Sequence, residues 1–195
     1  LQATWLVLQD DDDEKAHEYL GHIKGPKGWL WDLDGKRLTK EQYAAALHKQ
    51  QIVLTGERFA LRCDVDLATN LDALFDLEQL GVAWFDQFGK ELGLREVLQP
   101  IQVVAFRSAE GFPKWGFRPL PYFVPPPHGD QARTFYTGPQ PQRPEKLFFV
   151  GTEALLYHTL IGEADKQNDR DRVCPWLEIG LGMWMEQTMQ GTPGF

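Results

Sequence analysis

The chain contains a single serine, Ser108. A serine hydrolase sets its nucleophile on a sharp G-x-S-x-G turn, and no such motif is present. Ser108 stands at the end of an apolar run, where a serine suits a helix cap, so serine chemistry is set aside. Cysteine is nearly as scarce: Cys63 and Cys174 lie far apart. Such a pair either bridges in an oxidising compartment or sits as two buried thiols, and spacing does not choose between them. No glycine-rich phosphate loop occurs. No apolar run approaches the ~18–20 residues of a membrane span, and no signal peptide is read. The first residue is Leu1 rather than Met, which is expected of a chain processed or trimmed upstream. Positive charge is in the minority, with 20 Lys and Arg against 28 Asp and Glu and a net charge of -8. Phosphate contacts need clustered cations, so a broad nucleic-acid-binding face is not expected.

What is present suits a folded chain. Of 195 residues, 43% are hydrophobic and 25% charged, enough to bury a core. Thr4 to Gln9 reads as a short apolar strand. The one dense charge run, Asp10 to Glu14, lacks the alternating ligands and glycine turn of a calcium loop. It suits the first turn of a helix over "DDDDEKAHEYLGHI" that Gly25-Pro26 ends. "GWLWDLDGKRLT" alternates Trp29, Trp31 and Leu33 before Asp34-Gly35, a hairpin signal. Thr39 and Gln42 form a capping box for a helix over "KEQYAAALHKQ". "QIVLTGERFALRCDV" reads as two strands around Thr55-Gly56.

A long helix is predicted from Leu67 to Leu92, with Leu67, Leu71, Leu74, Phe75, Val82, Phe85, Phe88 and Leu92 as its core face and Gly93 as its stop. "IQVVAFRS" is a central strand. Gly111 to Pro144 holds nine of the thirteen prolines and reads as an irregular surface excursion. Its Phe112, Trp115, Phe117, Tyr122 and Phe123 suit either a binding loop or a wrap over a sheet edge. "EKLFFV" reads as a strand leading into a helix. "WLEIGLGMWM" is apolar nearly all round, which predicts a buried helix.

The order of these pieces carries a resemblance. "FALRCDV", a long helix, "GLREVLQPIQVVAFRSAEGF" and the closing "WLEIGLG" are similar to F-x-L-R-x-D, hhVVhFRSxEEF and W-L-x-E-G-h-A in the gluzincin-like peptidase-MA families, many of them bacterial domains of unknown function. The match runs from about Gln51 to Gln187. It implies an α+β, zincin-like fold: a small mixed sheet with a long helix and two facing C-terminal helices. Residues 1–50 would form a helix–hairpin appendage and 51–195 the main domain, or the whole would be one continuous domain truncated at both ends.

The resemblance also implies a zinc site. The first facing helix carries H-E-x-x-H, whose two imidazoles reach one ion while the Glu activates water; the second helix adds a Glu ligand. Carried onto this sequence, the first His slot is Ala154, the base slot Leu155, the second His slot His158 and the third-ligand slot Ile179. Catalytic zinc takes three protein ligands, and one imidazole does not supply them. The expectation is a catalytically inactive, metallopeptidase-like pseudoenzyme, without metal or other cofactor, that serves as a structural or binding module for a protein or peptide. An extracytoplasmic bacterial setting fits it. The alternative is a zinc hydrolase with an atypical site around His158 and Glu178.

Near the slots, Glu153 is five residues before His158, about 140° around a helix, so the two are expected to diverge. Glu178 is turned about 100° from the Ile179 slot, and Glu186 lies two turns beyond it. Helix Thr152 to Gly162 is expected to face helix Pro175 to Met189, with His158 directed at the second helix and bonded to Glu178 or a backbone carbonyl. A Cys174–His158 dyad is another pairing that the two facing helices allow. "HEYLGH" spaces His17 and His22 by five rather than four, which predicts a solvated surface; His48 and His128 have no partner at ligand spacing.

Overall fold

The computed structural model describes residues 7, 10, 12–26, 28–33, 35–50, 53–63, 65–110, 112, 120–125, 130–137, 143–161 and 175–190. Of the strand expected over Thr4 to Gln9, only Val7 is among them, and its backbone is helical.

Helix α1 (Glu14–Tyr19) starts at Asp13, whose carboxylate accepts the Ala16 N–H at 3.0 Å. It stops well before Gly25-Pro26, because Gly21 takes φ +70 and reverses the chain. Ile23–Gly25 is then a strand, β1, antiparallel to β2 (Gly28–Leu33). β2 pairs with β3 (Lys36–Leu38), Leu33 opposite Lys36, so the predicted hairpin forms. Gly35 takes φ +78 in its turn; Asp34 lies outside the described residues. The capping box opens α2 (Lys40–Gln50): Gln42 N–H donates to Thr39 Oγ1 at 3.3 Å, and Thr39 N–H to Gln42 Oε1 at 3.0 Å.

β4 (Val53–Thr55) and β5 (Phe59–Cys63) are antiparallel, as read. Their turn is pinned by Glu78, whose Oε1 accepts the N–H groups of Arg58 and Phe59 at 2.9 Å each. Helix α3 (Leu67–Leu92) has the predicted bounds, opened by Asp66 and closed by Gly93 at φ +61. Its buried face differs. Leu77, Leu80 and Trp84 are in the core, whereas Val82 and Leu92 are exposed. The helix is rich enough in apolar residues for several stripes to meet a three-and-four spacing, and the sheet selects one.

The larger sheet has the order β4-β5-β6-β8-β7. β6 (Ile101–Phe106) is central, as expected, and parallel to β5 and β8 (Gln131–Phe135), while β7 (Tyr122–Val124) is an antiparallel edge. β7 and β8 correct the reading of Gly111 to Pro144 as unpacked. Pro121 and Pro125 bracket β7 instead of interrupting it, where a missing N–H costs no ladder bond. Ser108 lies in a bend, and the described residues next to it, 109, 110 and 112, are not helical.

"EKLFFV" is not a strand. Lys146 enters at φ +49 and Leu147–Leu156 is helix α4, continued by one π turn, Tyr157–Ile161. Helix α5 (Pro175–Gln190) packs against α4, as expected. Two glycines set the close approaches. A Cβ on Gly151 would lie 2.6 Å from Leu80 Cδ2 of α3, and one on Gly182 would lie 2.7 Å from the Phe149 ring. α5 is not buried all round. Met185 and Met189 reach the core, but Trp176, Ile179 and Met183 are 73%, 50% and 53% exposed, because one side of the helix meets α4 and the other meets solvent.

The main core joins Phe59, Leu74, Trp84, Val103, Phe148 and Leu155. A smaller one joins Val7, Ala16 and Trp31 to Leu67 and Leu71, so the N-terminal layer rests on the start of α3. The fold class is α+β. No helix among the described residues is long and apolar enough to cross a membrane.

Candidate functional site at the junction of two helices and an edge strand

Ala154 and Leu155 are fully buried in the main core. The other side of α4 presents Glu153, which accepts the Phe123 N–H of β7 at 3.2 Å. Burial first, then the charge of Glu178 on α5, push the Glu153 carboxyl up to about 8. A carboxyl taken from water next to another carboxylate keeps its proton. Glu153 is therefore protonated at neutral pH, with Glu178 across the junction.

His158 follows on the π turn. Its Nε2 lies 2.9 Å from Asp130 Oδ1, a close approach without hydrogen-bond alignment. Asp130 precedes β8 and holds φ +48, a left-handed backbone that Asp tolerates better than most residues. In place of the expected partner, Glu178 or a backbone carbonyl, His158 meets this loop aspartate. Glu153 accepts from the Phe123 backbone, while the His158 ring lies 6.2 Å from the Phe123 ring. The π turn that begins at Tyr157 widens the helix where His158 leaves it, and such turns occur often at functional sites.

Glu186 has a structural task. Its Oε2 accepts the Phe149 N–H at 2.7 Å, closing the first turn of α4, whose N-cap residue Lys146 makes no side-chain bond. Burial raises its pKa. The hollow beside it, about 380 Å³, is lined in part by Arg143 and Lys146. Both cations are engaged, Arg143 with Asp76 at 2.6 Å and Lys146 over the Phe149 ring at 5.5 Å.

The first His slot and the base slot, Ala154 and Leu155, turn into the core, and Ile179 is an exposed hydrocarbon. The described residues contain no group of three or more His, Cys, Asp or Glu placed to hold a metal ion. Glu153 is the residue that the sequence reading weighed only against His158 and set aside. Its signal was the depletion of charge on α4, where it is the one ionisable side chain between Leu147 and Leu156.

Elsewhere, His17 and His22 are not a solvated surface. His17 is 1% exposed and its Nδ1 lies 2.7 Å from that of His22. The reading assumed a continuous helix through both residues, and the helix ends between them. Cys63 is buried against Tyr136, whose hydroxyl pKa is raised by that burial. Cys174, His128, Trp115 and Phe117 lie outside the described residues, as does the side chain of His48. The chain matches no protein-family model and no curated protein.

Proposed function

We propose that the chain is a zincin-like, metallopeptidase-like domain that binds rather than cleaves. One observation carries this reading: the slots for the first ligand and the water-activating base, Ala154 and Leu155, are core residues. Without that base and with His158 held by Asp130, water activation on a three-ligand metal has no support. The apolar side of α5, with Trp176, Ile179 and Met183 exposed, suits a hydrophobic segment of a protein or peptide partner. The test is a zinc titration of the purified chain with a peptide-cleavage assay on the same sample. The reading expects neither stoichiometric zinc nor zinc-dependent turnover.

A hydrolase around His158 and Glu178 is the second reading, favoured by the proton that Glu153 retains beside Glu178. Zinc-dependent turnover abolished by both His158→Ala and Glu178→Gln would replace the first reading with this one.

A further inference from the structure

The end of α1 is a Schellman turn. Gly21 N–H donates to the Glu18 carbonyl and His22 N–H to the His17 carbonyl, both at 3.0 Å. In this motif the residue three from the helix end meets the residue two beyond the cap, and the contact is usually apolar. Here both residues are histidines. His17 stacks on Trp29 with centroids 4.3 Å apart and planes 4° from parallel. His22 packs on Trp31 at 4.4 Å, and Trp31 on Tyr43 of α2 at 5.0 Å. The rings run in sequence from Trp29 to Tyr43, and the Nδ1–Nδ1 contact of 2.7 Å is the link between the two halves of the stack.

We propose that His17 and His22 form a single-proton latch, holding α1 against the three-stranded sheet while one proton lies between their Nδ1 atoms and releasing it when acid forces a second proton in. The contact needs one N–H facing one lone pair. One added proton can go to the far Nε2 of the donor ring and leave the bond intact. The next sets N–H against N–H and two cations side by side.

The surroundings oppose that second charge. Arg37 of β3 donates from Nη1 to the Gly21 carbonyl at 3.2 Å. Among the acids, Glu14 of α1 is paired with Lys24 of β1 at 2.6 Å, Asp32 of β2 with Arg37 at 3.5 Å, and Glu18 is exposed. α2 presents the neutral Tyr43. Burial, then His17 and Arg37, bring His22 down from 6.5 to about 4. A metal ion would meet the same Arg37 charge. A lowered pKa means the closed form gains stability fully above pH 6.5 and loses it as pH falls toward 4. Over that window the opened fraction should rise by up to roughly a hundredfold. Opening would uncover Leu67 and Leu71, which share the small core with Trp31. This inference stands apart from the proposed function.

The experiment is a pH titration of the full chain from 8 to 3.5, read by tryptophan emission and by the His17 and His22 ring proton resonances. The latch predicts an emission change between pH 6.5 and 4 that tracks His22. In His22→Phe, which can stack on Trp31 without taking a proton, the change should disappear. A Glu14→Gln control should keep it. The proposal is overturned if His22 titrates at its ordinary value, if the emission change persists in a folded His22→Phe, or if micromolar zinc binds wild type and not that variant. Should His22→Phe fail to fold, the wild-type ring resonances decide alone.

Discussion

Trp84 on α3 donates its indole N–H to Thr159 Oγ1 on the π turn at 3.2 Å, and Thr159 hands its own proton to the Leu155 carbonyl at 2.7 Å. Arg95 N–H in turn donates to the Thr159 carbonyl at 3.0 Å. One small side chain thus ties the long helix to the turn that presents His158. Thr159→Val keeps the shape and leaves the buried indole unpaired, which costs about 1–3 kcal/mol. Urea unfolding should show that loss.

Glu153 keeps its proton in the fold up to about pH 8 and releases it in the unfolded chain near 4.5. Its contribution is therefore best below pH 4.5 and is lost as pH rises to 8. Glu153→Gln copies the protonated form. It should leave stability at pH 5 nearly unchanged and raise it at pH 8.5 by on the order of 1–3 kcal/mol. Equal effects at both pH values in thermal melts would show that the carboxyl is not protonated in the fold.

Three glycines should respond with different signs. Gly151→Ala and Gly182→Ala drive a methyl into Leu80 and Phe149, and overpacking of this kind costs about 1–3 kcal/mol. An added Cβ on Gly180 meets nothing within 4 Å, so Gly180→Ala should stabilise α5 by about 0.5–1 kcal/mol. Denaturation midpoints of the three variants check the order.

Glu186→Ala removes the carboxylate that closes α4. A lost helix cap costs about 1 kcal/mol, and Glu186→Gln should recover most of it because an amide oxygen also accepts a hydrogen bond. Equal losses for the two variants in urea midpoints would show that charge, not acceptance of the Phe149 N–H, is what matters.

The elements announced by local chemistry were legible. Asp66 and Gly93 bound a helix whose limits need no tertiary information, and the Thr39–Gln42 box and the Trp29–Leu33 alternation act within a few residues. What was not legible depends on distant partners. β8 is a strand because β6 and β7 flank it, and proline content hid it. Leu147 to Val150 are apolar enough for a strand, and become helix where Glu186 can close the end. At the site, the Ala154 and Leu155 slots followed from the resemblance alone, whereas Glu153 is drawn to the junction by Phe123. The His17–His22 contact was readable in principle, since Gly21 one residue before His22 marks a helix stop.

The Glu186 cap has a consequence for biosynthesis. Glu186 stands 37 positions beyond Phe149, so a ribosome at ~5–20 residues per second adds it roughly 2–7 seconds later. Until then the first turn of α4 is closed only by water. A chain released before Glu186 is added would hold its hydrophobic helix without this closing bond. The pace of synthesis between Phe149 and Glu186, and not only sequence, should therefore set how soon this helix acquires its closing bond.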